Sequence, residues 1–313
     1  MTINEIKIYL QEHPGYLNKA NYGRIAQRTN SSYNDVKRAV YEINNIPNRP
    51  KLNYDEFGKD FQEFLKWRKS MNKEQQEIAF GRPQKKLPKP FEGGDASNVL
   101  VIGDLHAPFV LEGYLEFCRE QQEKYNCGTV VFIGDIIDGN SWSYHEHDVD
   151  GMDVKTEVNR SIEQLKEWYT VFPVATVLYG NHDLLVARKA RTAGLSQMFI
   201  RDLGEILQAP KTWTFTHEFY KDNVKYIHGS IGNAIKRAKD ERVSIVQGHL
   251  HTEAFVQYAV SEKDAIFGMQ IGCGIDREAY AFEYTKPFPK KPVISCGLVL
   301  DNGNLPIVKL MKL

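Results

Sequence analysis

Five short apolar runs in this chain lead into Asp, Asn or His, four of them through an intervening glycine. They are Val99–Ile102 before Gly103-Asp104-Leu105-His106, and Thr129–Ile133 before Gly134-Asp135-Ile136-Ile137-Asp138. Thr176–Tyr179 precedes Gly180-Asn181-His182-Asp183, Val224–Ile227 precedes His228-Gly229, and Ser244–Gln247 precedes Gly248-His249-Leu250-His251. Short β-branched and aromatic runs bounded by glycine are strand signals. Helical candidates stand between them, at Glu112–Lys124 and Thr156–Tyr169. Strand–helix alternation predicts an α/β domain, with hard oxygen donors and imidazoles at the strand ends, where such sheets present their chemistry. Past residue 254 the pattern changes to β runs with turns, including Asp301-Asn302-Gly303-Asn304, and predicts an antiparallel sheet that completes the domain.

The 313 residues suffice for one sizeable core and a small accessory domain. Formal net charge is zero but unevenly spread: residues 1–90 hold 17 Lys and Arg against 10 Asp and Glu. A basic front end suits a polyanionic partner, although a solvated basic face gives the same count. Cys118, Cys127, Cys273 and Cys296 form no C-x-x-C pair. They read as reduced thiols of a cytoplasmic protein. The start Met1-Thr2-Ile3-Asn4-Glu5 has neither the basic nor the apolar region of a signal peptide, and no run reaches membrane-span length. The expectation is a soluble chain with no membrane partner.

Residues 1–50 read as a small all-α domain of three short helices. Thr2 with Glu5 and Ser32 with Asp35 are capping boxes for the first and third. Ile6 and Leu10 share one inner face, and Val36, Val40 and Ile43 another, leaving Tyr33, Asn34, Lys37, Arg38 and Tyr41 outside. Arg24-Ile25-Ala26-Gln27-Arg28 through Val36-Lys37-Arg38-Ala39 resembles a helix-turn-helix. That resemblance implies DNA binding through Tyr33, Asn34, Lys37 and Arg38; a structural or partner-binding helical cap is the alternative. Residues 51–97 read as a long helix over 54–80, striped by Phe57, Phe61, Phe64, Leu65 and Met71, then a Pro/Gly/Lys-rich linker. Residues 98–313 form the α/β domain.

Asp, His and Asn gathered at strand ends suit two divalent cations better than one. Phosphate ester hydrolysis needs a strong nucleophile at neutral pH, neutralised phosphoryl oxygens and a proton for the leaving group; two metal ions can provide the first two. With D-x-H, G-D-x-x-D, G-N-H-D, a strand-end His and G-H-x-H in that order, residues 98–310 resemble a calcineurin-like metallophosphoesterase. The resemblance implies an αββα sandwich of two mixed sheets. It implies that Asp104, His106 and His251 bind one metal, that Asn181, His228 and His249 bind the other, and that Asp135 bridges them. It further implies attack by a hydroxide shared between the ions, with His182 as the acid that protonates the leaving oxygen and Asp183 orienting that imidazole. Asp138 reads as a group that fixes the loop after Asp135 rather than as a ligand. Manganese is the expected metal, with iron or zinc tolerated by the same donors.

Other residues carry less. His13 and His217 read as ordinary polar histidines. Asn140 to Asp148 should lie over the metals, where Tyr144 and His145 could hold base or phosphate or be incidental. Arg188 and Arg191 follow the third motif on an expected helix, and Arg suits phosphate. Where relatives carry an Asn-Pro-Gly-Ser-like turn, this chain has Gln270-Ile271-Gly272-Cys273-Gly274. The leading expectation is a phosphodiesterase acting on nucleic acid. A phosphomonoesterase acting on a phosphoprotein or nucleotide is the first alternative, and a non-catalytic DNA-binding or scaffold protein with a relic site the second.

Overall fold

A computed structural model describes residues 87–144, 152–278 and 291–312, together with Ile6, Lys7, Leu10, Ala26, Asp35, Val36, Ala39 and Val40. The chain divides into two compact units, residues 1–86 and 87–313. In the first, all eight described residues are helical, and Ile6, Leu10, Val36, Ala39 and Val40 are buried. Tyr33, Asn34, Lys37 and Arg38, and the expected helix over 54–80, lie outside the described residues. Residues 87–97, read as the end of a linker, belong to the second unit. Leu87 packs on its core, and Arg119 donates to the Lys89 carbonyl at 2.8 Å while lying over the Phe91 ring.

The second unit contains eleven described strands. A six-stranded sheet runs β11 (Leu305–Leu310), β10 (Ser295–Leu300), β1 (Asp95–Ile102), β2 (Cys127–Phe132), β3 (Ala175–Leu178), β4 (Trp213–Thr216). A five-stranded sheet runs β5 (Glu218–Lys221), β6 (Val224–Ile227), β7 (Ser244–Gln247), β9 (Ala265–Gln270), β8 (Phe255–Val260). Both are mixed: β1 to β4 are parallel and β10 and β11 antiparallel, while β6, β7 and β9 are parallel and β5 and β8 antiparallel. The expected late antiparallel sheet is therefore two separate pairs: β8–β9 closes one sheet and β10–β11 the other. A β-hairpin pattern announces local pairing but not which sheet edge receives it.

Alternation along the strands explains the layering. Successive residues point to opposite faces. Val99 and Val101 join Val131, Ile133, Leu178, Val246 and Met269 in an apolar layer that takes residues from both sheets. Leu100 and Ile102 lie instead in a cluster with Tyr114 and Cys118 of α1 (Tyr114–Lys124) and Leu165 and Trp168 of α2 (Val154–Val171). Ile227, Ile245 and Ile266 of the second sheet meet Ala234 and Ala238 of α5 (Ala234–Glu241). Helices thus cover both outer faces, an αββα sandwich. Two further helices, α3 (Leu185–Thr192) and α4 (Leu203–Ile206), follow β3. Among the described residues no helix is long and apolar enough to cross a membrane. The four cysteines are buried and unbridged.

Candidate metal centre

Parallel order puts the C-terminal ends of β1, β2 and β3 along one edge, and those of β6 and β7 likewise along one edge of the second sheet. Asp104 and His106 follow β1, Asp135 follows β2, Asn181 follows β3, His228 follows β6, and His249 and His251 follow β7. The structure brings all seven together. Donor atoms of Asp104, His106, Asp135 and His251 lie within 4.8 Å of one another, and so do those of Asp135, His228 and His249. Asp135 is common to both groups. Asn181 adjoins the second, its Oδ1 3.1 Å from His228 Nε2.

Backbone geometry enforces this crowding. His106, Asp135 and His249 hold positive φ angles of 49°, 45° and 70°. Non-glycine residues seldom adopt these, and they persist where surrounding structure over-determines them. Leu105 and His106 both donate to the Asp135 carbonyl, at 3.2 and 2.9 Å, which locks the first two loops together. His182 donates its backbone N–H to Asp135 Oδ1 at 2.8 Å, and His249 does so to Asp104 Oδ2 at 2.9 Å. The motif glycines permit the approach: a side chain at Gly180 would collide with Asp135 Oδ1, and one at Gly248 with Asp104 Oδ1.

Tautomers are fixed from behind. His228 Nδ1 lies 3.2 Å from the Ile133 carbonyl, so it is the donor and Nε2 faces Asp135 Oδ2 at 3.1 Å. His106 Nδ1 lies 2.7 Å from Asp138 Oδ1, with Nε2 3.6 Å from Asp135 Oδ2. His251 Nε2 sits 3.1 Å from Asp104 Oδ2. Asp138 is fully buried, and its carboxylate orients a ring of the cluster, a role beyond the loop-fixing expected for it.

His182 stands at the edge, its ring 4.6 Å from that of His106. Its side chain is 18% exposed, against 0% for His106, so a leaving group can reach it. The expected partner, Asp183, does not hold this ring. His182 Nδ1 donates instead to the Asp138 carbonyl at 2.5 Å. Asp183 accepts backbone N–H groups from Ile136, Ile137 and Gly180 at 3.0, 3.3 and 2.8 Å, and so ties the second motif to the third. Its two oxygens are spent on these amides.

Charge within the cluster is balanced by protons. Burial opposes the His228 imidazolium, but Asp135 and Asp104 outweigh it and push the ring up to about 10. Burial opposes the charged form of His182 too, and Asp135 and Asp138 reverse the sign, raising it. Burial drives His106 well below the ordinary histidine range, with the His182 charge adding to it. Burial would raise Asp135, yet His228, His182 and His106 hold it well below the usual carboxylate range. Burial and the Asp135 charge push Asp183 up to about 7.

The donors fit divalent cations. Asp104 Oδ1 is buried without a hydrogen-bond partner among the described residues, an expensive state unless a cation satisfies it. Mixed carboxylate, imidazole and amide donors are hard and borderline ligands for first-row divalent metals. A model of the calcineurin-like phosphoesterase family matches residues 97–267, a span that contains every one of these donors. The chain belongs to that family. Solved structures that resemble it include a single mutant of Vps29 from Entamoeba histolytica, 13% identical, with 69% of this chain and 99% of that chain covered at a TM-score of 0.30. Vps29 of Chaetomium thermophilum is 11% identical, covering 69% and 96% at 0.34. The nuclease MPE of Pseudomonas putida is 12% identical, covering 68% and 87% at 0.26. A search of curated proteins found no match.

The remaining expected contacts lie beside the cluster in sequence. Tyr144 is exposed, with the Arg188 guanidinium 5.5 Å from its ring and the Lys189 ammonium 5.0 Å from it. His145 lies outside the described residues. One buried group escaped sequence reading. Glu157, on α2, accepts the backbone N–H groups of Asn140 and Ser141 at 3.0 and 2.8 Å and so fixes the segment after Asp138. Its position inside an amphipathic helix gave no signal beyond a Glu where an apolar residue would pack.

Proposed function

We propose that the second unit is a two-metal phosphodiesterase whose substrate is nucleic acid. The observation that carries the reaction is the pair of donor groups sharing Asp135. Asp104, His106, Asp135 and His251 would hold one ion, and Asp135, Asn181, His228 and His249 the other. When bound, such a pair neutralises phosphoryl oxygens and lowers the pKa of water to supply a nucleophile at neutral pH. Asn181 contributes a neutral oxygen, which leaves more positive charge at the centre than a carboxylate would. The carbonyl of Ile133 keeps His228 Nε2 directed inward. His182, with Nδ1 given to the Asp138 carbonyl, presents Nε2 as the proton donor for the departing oxygen. The carboxylates of Asp135 and Asp138 favour its protonated form, as that role requires.

The nucleic-acid part of the reading rests on the 17 Lys and Arg against 10 Asp and Glu of residues 1–90. Manganese suits the donor set, and iron and zinc remain compatible with it. Metal analysis of the purified chain should find two equivalents, and a manganese-supplemented panel should show bis(p-nitrophenyl) phosphate turned over faster than p-nitrophenyl phosphate. Cleavage of single- or double-stranded DNA or RNA completes the test. Preference for the monoester would make the protein a phosphomonoesterase, and failure on every ester a relic.

A further inference from the structure

Beside the motif that supplies Asn181 and His182, α3 carries three cations and no acid: Arg188, Lys189 and Arg191. Among the described residues none of the three has a carboxylate within ion-pair distance, whereas Arg201 and Arg237 do. Arg188 and Arg191, three residues apart, share a face, and cations with no such partner among the described residues make that face attractive to an anion. Tyr144 faces the same helix and is 54% exposed, an aromatic surface open to solvent. Lys189 is bound to the Ser143 carbonyl at 3.0 Å, which holds the tyrosine-bearing segment against α3. Tyr144, Arg188, Arg191 and Thr192 line an open cavity. Both walls are tethered to the cluster by short connections. Tyr144 follows Asp138 through a turn that Glu157 fixes, and α3 starts two residues after Asp183.

We infer that this cleft binds the strand of a polynucleotide next to the phosphate being cleaved, with Arg188 and Arg191 on a neighbouring phosphate and a base stacked on Tyr144. Guanidinium groups pair with phosphate oxygens through two parallel N–H donors, and an aromatic face accepts any base. A phosphopeptide would use the arginines but has no reason to need the open ring. The inference rests on the proposed reaction only for its substrate class, because binding can be read without cleavage.

The test uses the full chain and a fluorescent thymidine pentamer, with binding read by anisotropy across a salt series and cleavage read with manganese present. Arg188→Ala with Arg191→Ala should weaken binding about tenfold or more and flatten the slope of log affinity against log salt by about 0.7, the value for one lost single-strand phosphate contact. Tyr144→Ala should weaken it at least fivefold and Tyr144→Phe far less. All three residues are exposed, so the variants retain the fold. In cleavage the loss should appear in KM rather than kcat. Unchanged affinity and salt slope in the arginine variant would overturn the cleft while leaving the reaction intact. So would equal damage from Tyr144→Phe and Tyr144→Ala, or a larger loss for a phosphopeptide than for the pentamer. A wild-type chain that binds the pentamer but never cuts it defeats the reaction and leaves the cleft to be judged by its variants; one that does not bind it overturns the cleft.

Discussion

The donor cluster and the cleft beside it are built on opposite principles. In the cluster Asp104, His106, Asp135 and Asp138 are almost wholly buried, and three of its backbones are held at positive φ. Hydrogen bonds from behind fix the direction of the His106 and His228 rings and of the Asp104 and Asp135 carboxylates. In the cleft Tyr144, Arg188 and Arg191 are exposed and carry few bonds. Chemistry that must hold two like-charged ions close together needs donors that cannot move, whereas recognition of a flexible strand tolerates adaptable side chains. The contrast predicts that damage in the cluster appears in metal content and turnover, and damage in the cleft in substrate affinity.

The hardest blow to the cluster is loss of the shared carboxylate. Asp135→Ala should remove at least one metal equivalent and lower turnover of a small diester by about 10³-fold or more, since several kcal/mol of charge stabilisation depend on the ions. Metal analysis and kinetics read this together, and a variant that keeps both ions would show that the carboxylate does not bridge. Next comes His182→Gln, expected to keep its metals and lose ~10²–10⁴ in kcat. Undiminished kcat would remove it from proton transfer. Asp138→Asn should cost ~10–100-fold in metal affinity or activity through the loosened His106 ring. Because Asp183 holds amides and not the His182 imidazole, Asp183→Asn should act through loop order, seen as a lower melting temperature with the alkaline limb of the pH profile unmoved.

Metal addition gives a smaller but cleaner signal. At a hundredfold excess over Kd the folded chain gains ~2.7 kcal/mol, or roughly 5–10 °C in melting temperature for a domain of this size. The pH dependence has a definite sign. With no metal, His228 is pushed up to about 10 and so is protonated at neutral pH. A metal at Nε2 must displace that proton, so affinity should climb as pH rises toward that value. Calorimetry in two buffers of different ionisation enthalpy should detect the released proton, and His228→Asn should abolish it. Smallest of all, Tyr144→Ala in the cleft should leave melting unchanged within ~0.5 kcal/mol.

Much of the cluster was legible because strand ends announce themselves: an apolar run, a glycine that lets backbone approach, then the donor. Val224–Ile227 and Ser244–Gln247 match β6 and β7 residue for residue. What escaped depends on pairing across the chain. Trp213–Thr216 and Glu218–Lys221 are four-residue edge strands whose identity comes from the neighbours they join, not from their own pattern. Asp138 and Asp183 occupy equivalent-looking places after their motifs. Only the folded loops show that the first serves two imidazoles, one through its carboxylate and one through its carbonyl, while the second serves three amides.

Strand β10 lies against β1, the strand that delivers Asp104, and Tyr114 clamps the join by donating to the Ser295 carbonyl while accepting from Gly103. Every ligand-bearing motif, through His251, is therefore synthesised before the segment that seals β1. During translation, a nascent chain halted short of residue 295 would carry the complete donor set on a sheet with one raw edge, available to any passing strand. Firm seating of Asp104, on this topology, waits until β10 has paired with β1.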